Sequence, residues 1–404
     1  MEIPKKPIQP QHQPSNLVFD DDDEATQKPA VSNGIEALPY GLHKSAEKLL
    51  KLISEDGITE ILMNGPQEIL FRKDGQRFFV DDISFPDVES YHKVINNVVL
   101  PLSKITDRIN STPYLIEGQI EVPDPYDANN TLLARIHIIA PPAVDVAKVT
   151  IAKKARYQYN IDDIVDKGSM SYEMGSFLKA CSRGRVTLVI SGLSGSGKTT
   201  VLEALSFEFD TNDRVIAVEE TPELRLPLED VVYLPAQSAK PGLDSNDAVT
   251  VEWLVAQANR MRPDRIIVGE CRGGEAAEFI SAANSGADGS ITTLHASSPR
   301  QALDKLLTLY MKGHDDRSEF AVLRDIASTV QLVIQTNLID GKHIVTQIEE
   351  VSKMIRKDGI AIATTPLFEY NRVTGRFEPK NRPSEQLVDY MASRGVQVDL
   401  TWFQ

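Results

Sequence analysis

Cysteine is nearly absent: Cys181 and Cys271 are the only two in 404 residues. That excludes a disulfide-stapled scaffold and fits a reducing compartment. Long hydrophobic runs are missing too, and nothing approaches the roughly 20 apolar residues that span a bilayer. No basic-then-apolar leader opens the chain, so a cytoplasmic protein is expected. Basic residues are in deficit, with 43 Lys+Arg against 58 Asp+Glu and a net charge of −15. This argues against broad electrostatic attachment to nucleic acid, while leaving room for a local basic patch. Aromatics make up only 6%, few for a stacking platform along a single strand. What is present is ordinary for a globular chain, 41% hydrophobic and 25% charged, in a length that suits about two to three domains.

Residues 1–38 read as a tail. Pro4, Pro7, Pro10, Pro14 and Pro29 and the acidic run 20–24 leave little to bury, so disorder is expected. Leu42, Ala46, Leu49, Leu50 and Ile53 then recur at helical spacing, and Gly57 stops the helix. Short strands are expected around 59–63 and 68–72, with Asp74-Gly75 as a tight-hairpin signal before Phe78, Phe79 and Val80. Val88, Tyr91, Val94, Ile95 and Val98 predict another helix, and 131–139 a strand ended by Pro141-Pro142. The pattern predicts an α+β domain over 39–147, followed by a basic linker over 148–165.

Residues 166–404 alternate differently. Strand-like runs at 186–190, 214–218, 265–268 and 290–294 are separated by helical patterns at 201–205, 251–258 and 276–283. That predicts an α/β unit whose mostly parallel sheet is covered on both faces. Val330, Leu332 and Ile334 on one side of Asp340-Gly341, and Ile344, Thr346 and Ile348 on the other, predict an antiparallel C-terminal hairpin.

The sharpest chemical signal is Gly192-Leu193-Ser194-Gly195-Ser196-Gly197-Lys198-Thr199, followed by Thr200. It fits the phosphate-loop pattern at every fixed position, between an apolar strand and a helix. Its glycines let successive N–H groups point at phosphate oxygens, and the helix N-terminus adds partial positive charge. Lys198 can reach the β- and γ-phosphates of ATP, and the Thr199 hydroxyl can ligate Mg²⁺.

Such a loop needs acids at neighbouring strand ends. Glu270 follows the run 265–268, with Gly269 at the position where an aspartate is usual; its carboxylate can hold a Mg²⁺-bound water. Glu219-Glu220, with Glu223 nearby, ends another strand. A carboxylate there can orient or deprotonate the attacking water, the alternative being a solvated acidic turn. In Ser290-Ile291-Thr292-Thr293-Leu294-His295 the polar strand suits a sensor of phosphate state. A lone histidine such as His295 is more often structural than catalytic. Arg260, Arg262, Arg265 and Arg272 crowd the strand before Glu270. They can pair with Glu219, Glu220 or Glu223, or face a phosphate across a subunit boundary.

In order and spacing, the phosphate loop, the acidic box from Glu219, the stretch 260–275 and Thr292–Ala296 resemble the type II/type IV secretion ATPases. The segment 59–66 and the region after Asp340-Gly341 are most similar to the CpaF/TadA branch, which serves tight-adherence pili. The resemblance covers roughly 40–400. It implies a RecA-like motor domain behind a smaller α+β domain, a hexameric ring, and contact with an inner-membrane platform protein from the cytoplasm. It implies that Glu219 activates water, that Glu270 is the Walker B acid, and that His295 is the histidine-box residue. Arg135, Arg260, Arg262 and Arg272 match arginines near nucleotide or a neighbouring subunit. The chain departs from the family at Ala287, where histidine is frequent, at Glu220, where Asp is common, and at Ala152, where Arg is usual. Rival readings are a nucleic-acid-dependent motor with the same core, a small-molecule kinase, and a nucleotide-sensing regulator without turnover.

Overall fold

The structure, a computed structural model, describes residues 34–404 apart from 74–75, 103–108, 110–113, 125–126, 155–156, 237–248, 313–316 and 356–361. The expected tail over 1–33 and the Asp74-Gly75 turn therefore lie outside the described residues. Inside them, Leu38 is already buried in the first core, with Ile35 packed against it.

Helix α1 (Tyr40–Ser54) buries Leu42, Ala46, Leu49 and Ile53, the stripe its sequence spacing predicts. Strands β1 (Ile58–Gly65), β2 (Glu68–Lys73) and β3 (Gln76–Phe79) follow. Helix α2 (Val88–Val94) starts at Asp87, whose side chain accepts from the Ser90 N–H at 2.7 Å. Strands β4 (Leu115–Asp124), β5 (Asp127–Ile139) and β6 (Lys148–Lys153) complete an antiparallel sheet of order β3-β2-β1-β6-β5-β4.

The basic stretch expected to open the linker is thus a central strand. Over Lys148–Lys153 the chain pairs with β1 on one side and β5 on the other. Val149 and Ile151 alternate inward between polar neighbours, and that two-residue period decides its place over its charge. The connection between the two units shrinks to 154–160.

One face of this sheet, including Ile116, Ile120, Ala134, Ile136, Val149 and Ile151, packs on α1 and α2. On the other face the register sets Gln119 opposite Arg135, and Arg135 opposite Ala152, in one row across β4, β5 and β6.

The second unit begins with α3 (Ile161–Asp166), opened by an Asn160/Asp163 capping box, and α4 (Tyr172–Arg183). It continues through β7 (Leu188–Gly192), α5 (Lys198–Ser206), β8 (Val215–Glu219), β9 (Val231–Pro235) and α6 (Val251–Ala258). Next come β10 (Arg265–Val268), α7 (Glu275–Asn284), β11 (Ile291–Leu294), α8 (Pro299–Lys312) and α9 (Glu319–Thr329). Strands β12 (Leu332–Ile339), β13 (Lys342–Ile355), β14 (Ile362–Asn371) and β15 (Arg376–Pro379), then α10 (Glu385–Ala392), close it.

The sheet runs β15-β14-β13-β12-β7-β11-β10-β8-β9. From β9 to β12 all neighbours are parallel, and the last three strands are antiparallel. Strands β7, β8, β10 and β11 are buried along their whole length, as strands covered on both faces must be. One apolar core joins α4, α5 and α10 to the sheet, and a second joins α6 to α9 to its other face. The hairpin between β12 and β13 closes as its sequence predicts. Ile339 pairs with Lys342, and Asp340 (φ 50°) and Gly341 (φ 78°) both adopt the left-handed conformation of a two-residue turn. Among the described residues no helix is long and apolar enough to cross a membrane.

Candidate active site

The phosphate loop leaves the carboxyl end of β7, the central strand of the second sheet. Gly195 (φ 69°) and Gly197 (φ 95°) turn it through conformations closed to other residues, and Gly197 caps the N-terminus of α5. A Cβ at Gly192 would stand 2.5 Å from the Thr336 carbonyl oxygen, so β12 presses directly on the loop's first residue. Ser196 Oγ donates to Thr336 Oγ1 at 2.8 Å, and Thr336 Oγ1 donates to the Ser191 carbonyl at 3.1 Å. Leu193, Ser194 and Gly195 form the exposed tip, while Thr199 and Thr200 are half-buried in the first turn of α5. Lys198 is buried and donates to the carbonyls of Gly192 and Leu193, each at 3.1 Å. Burial lowers its pKa, and the nearby Glu270 opposes that shift.

Glu219 ends β8 with only 6% of its surface exposed. Its Oε1 accepts the N–H of Glu223 at 2.9 Å and of Leu224 at 3.0 Å. Burial pushes its carboxyl up to about 7, and the two N–H donors pull the other way. Glu270, just beyond β10, has Oε2 2.7 Å from Arg272 Nη2. Its Oε1 lies 2.9 Å from His295 Nε2 but is buried and makes no hydrogen bond among the described residues.

His295, just after β11, therefore stands against Glu270 rather than in a separate structural setting. Burial and then Lys198 lower its pKa, which favours the neutral imidazole, while Glu270 opposes the shift. The threonines of this strand, read as a phosphate sensor, bond to neighbouring strand ends. Thr293 Oγ1 donates to the Gly269 carbonyl at 2.6 Å, and Thr292 Oγ1 is 3.2 Å from Cys271 Sγ.

The arginines divide. Arg272 bridges Glu220 and Glu270. Arg135, from β5 of the first sheet, pairs with Glu223 at 3.2 Å. Arg265 is buried, with its Nε 2.7 Å from Asp213 Oδ2, so it serves the core and not the site. Arg260 and Arg262 are exposed, without an ion pair among the described residues; Arg260 donates to Gln257 at 3.2 Å. The structure thus brings together Lys198, Glu270, His295 and Arg272, with Glu219, Glu223 and Arg135 alongside. It leaves Arg260 and Arg262 outside that cluster.

Several residues here carry no local sequence signal. Thr336 lies under the loop through β12. Lys154, from the connection, stands 2.8 Å from Glu203 on α5. Gln119 and Gln158 reach the segment after Glu219. Ala287 fills the second core, where a histidine would bring a polar ring.

A family model described as "Type II/IV secretion system protein" matches residues 43–372. The type IV secretion system protein VirB11 of Bartonella quintana is 27% identical over 341 residues, covering 75% of this chain and 90% of that protein. The Legionella pneumophila ATPase DotB shares the fold, with a TM-score of 0.53 at 20% identity over 80% of this chain and 81% of that one. The pilus retraction motor PilT, solved with bound ADP, has a TM-score of 0.51 at 13% identity over 88% and 90%. The expected fold, a RecA-like sheet behind a smaller α+β unit, is the one observed. Because the family match spans the first sheet and the second as far as β14 and contains every motif of the site, the chain belongs to the type II/IV secretion system protein family.

Proposed function

We propose that this chain hydrolyses ATP to ADP and phosphate with Mg²⁺ and works as a hexameric ring motor. Its place is the cytoplasmic face of an inner-membrane machine, where it contacts the platform protein of a pilus of the tight-adherence kind or of a secretion system. The observation that carries this reading is Glu219: a buried carboxylate poised near 7, leaning on the residue before Glu270, next to a complete phosphate loop. A group that must take a proton at neutral pH needs that poise.

Each residue has a defined task. The loop from Gly192 to Thr199, with Thr200, supplies N–H groups for the phosphates. Lys198, held by the carbonyls of Gly192 and Leu193, can exchange them for the β- and γ-oxygens. The buried Glu270 Oε1, without a hydrogen bond among the described residues, suits an acceptor for a metal-bound water, so Thr199 and Glu270 would hold Mg²⁺. Once bound, that ion neutralises charge on the phosphates. Glu219 takes the proton of the attacking water, and neutral His295 sets the position of Glu270. Arg272 and Arg135 place positive charge at the edge of the site, with Arg260 and Arg262 turned toward a neighbouring subunit. A shift of the first sheet against the second is the work stroke.

Phosphate release by the purified full chain, with and without Mg²⁺, tests the reaction, and Lys198→Ala should abolish most of it. ATP binding without turnover would make the chain a nucleotide-sensing regulator. Strong stimulation by nucleic acid would make it a nucleic-acid motor. Native mass measurement with ATP should give six copies, and pilin and platform genes beside its own would fix the system served.

A further inference from the structure

The segment 222–225, which follows Glu219, has no regular secondary structure; Leu224 is anchored in the apolar core under α5, and the polar groups around it are held by bonds from several elements. Two of its N–H groups, on Glu223 and Leu224, hold the Glu219 carboxylate. Three of its other polar groups face the first sheet and the connection. The Pro222 carbonyl accepts from Gln119 Nε2, the Glu223 carboxylate pairs with Arg135 at 3.2 Å, and the Arg225 carbonyl accepts from Gln158 Nε2 at 2.6 Å. The Arg225 N–H donates to Glu203 on α5 at 2.7 Å, and that carboxylate also meets Lys154 of the connection. Gln119 and Arg135 are direct cross-strand neighbours, so one rigid row of the first sheet grips the segment at successive residues.

From this we infer that 222–225 is a strap through which the first sheet sets Glu219, with Gln119 and Gln158 as positioning residues for the base. A displaced first sheet drags Pro222 and Glu223 with it, and the connection behind it pulls on Arg225 through Gln158. The strap then withdraws the Glu223 and Leu224 N–H groups, and the carboxylate loses the geometry that points it at water. Seating of the first sheet thus becomes a condition for fast hydrolysis, although no atom of Gln119 or Gln158 meets the reacting groups. The inference rests on Glu219 being the base of an ATPase.

The test uses Gln119→Met and Gln158→Met in the full chain. Methionine keeps about the length and volume of glutamine and removes its amide, the donor and the carbonyl acceptor together. The double variant should lower kcat by about 10- to 100-fold, the scale of a misplaced catalytic group, with KM for ATP within about twofold. In a Glu219→Gln background the same pair of changes should alter the single-turnover rate by less than about twofold, because the group being positioned is gone. Apart from turnover, hydrogen exchange at the Glu223 and Leu224 amides should speed up by roughly tenfold or more. An unchanged kcat, an effect on KM alone, an equal loss in both backgrounds, or unaltered amide exchange would each overturn the strap. If Glu219→Gln alone hydrolyses ATP at the parent rate, the base assignment fails instead, and the exchange measurement still reports whether the strap exists.

Discussion

Glu219 leans on Gly269: a Cβ at position 269 would stand 2.9 Å from Glu219 Cγ and 3.4 Å from its Oε1. The last residue before Glu270 therefore has no room for a side chain, and the acid that closes β10 falls one place later. The Glu219 carboxylate is pinned by the N–H groups of Glu223 and Leu224, so it cannot swing clear without losing them. Gly269→Ala should displace it by a fraction of an ångström to an ångström. A misplacement of that order lowers the chemical step by about 10²-fold. Nucleotide binding should survive, since the phosphate loop is untouched. Single-turnover hydrolysis beside equilibrium binding of a fluorescent ATP analogue separates the two, and a parent-like chemical step would show that Glu219 tolerates the shift.

The pH profile should carry the signature of the same residue. In the free protein burial raises Glu219 to about 7. As a base it works only when ionised, so kcat/KM for ATP should rise with pH through about 7 and level off above it. His295, pushed below its ordinary value, titrates on the acid side of that limb. Glu219→Gln should abolish the limb and slow turnover by about 10²–10⁴-fold, the usual worth of a general base. A limb that persists in Glu219→Gln would assign it to another group.

Local patterns were the legible part of the chain. The phosphate loop needs its glycines at fixed positions, and Asp340-Gly341 needs two left-handed residues, so both are visible as strings. Strand β6 was hidden because Lys148 and Lys153 made a half-buried strand look like a basic linker, although Val149 and Ile151 show the period. Ala152, where the chain departs from the family, stands directly opposite Arg135 on β5, a pairing that only the fold reveals. The grip on Glu219 could not be seen at all. Gln119 and Pro222 are 103 positions apart, and Gln158 and Arg225 are 67, with no composition or spacing to join them.

Arg265 shows how adjacent arginines part company once folded. Its side chain is 1% exposed, and it donates to Asp213 at 2.7 Å, to the Ser182 carbonyl at 3.0 Å and to the Gly289 carbonyl at 3.2 Å. The guanidinium also lies 4.1 Å over the Phe209 ring. Arg265→Met should cost about 3–5 kcal/mol, the usual loss when one partner of a buried charge pair is removed. Arg185 still pairs with Asp213, which favours the lower end of that range. Exposed Arg262→Ala should fall within about 0.5 kcal/mol of the parent. Denaturant midpoints of the two variants provide the comparison, and equal midpoints would contradict the buried role.

Arg260 and Arg262 lead to the prediction that full activity needs more than one subunit. Both are exposed, and neither has an ion pair among the described residues, in a chain whose net charge is −15. Arg262 moreover adopts φ 54°, a conformation unfavourable for a side-chain-bearing residue and one that sets its direction. An arginine supplied across a subunit boundary is worth about 10³–10⁵-fold in other phosphate-loop enzymes. Specific activity should then rise with protein concentration as rings assemble. Arg260→Ala/Arg262→Ala should lose hydrolysis while still binding ATP, since Lys198 and the loop are intact. Lys198→Ala should also be inactive, yet it keeps both arginines. Mixing these two inactive chains should restore part of the activity at interfaces where one contributes the loop and the other the arginines. If the mixture stays as inactive as its parts, or if specific activity holds constant down to verified monomer, the arginines do not act in trans and each subunit hydrolyses alone.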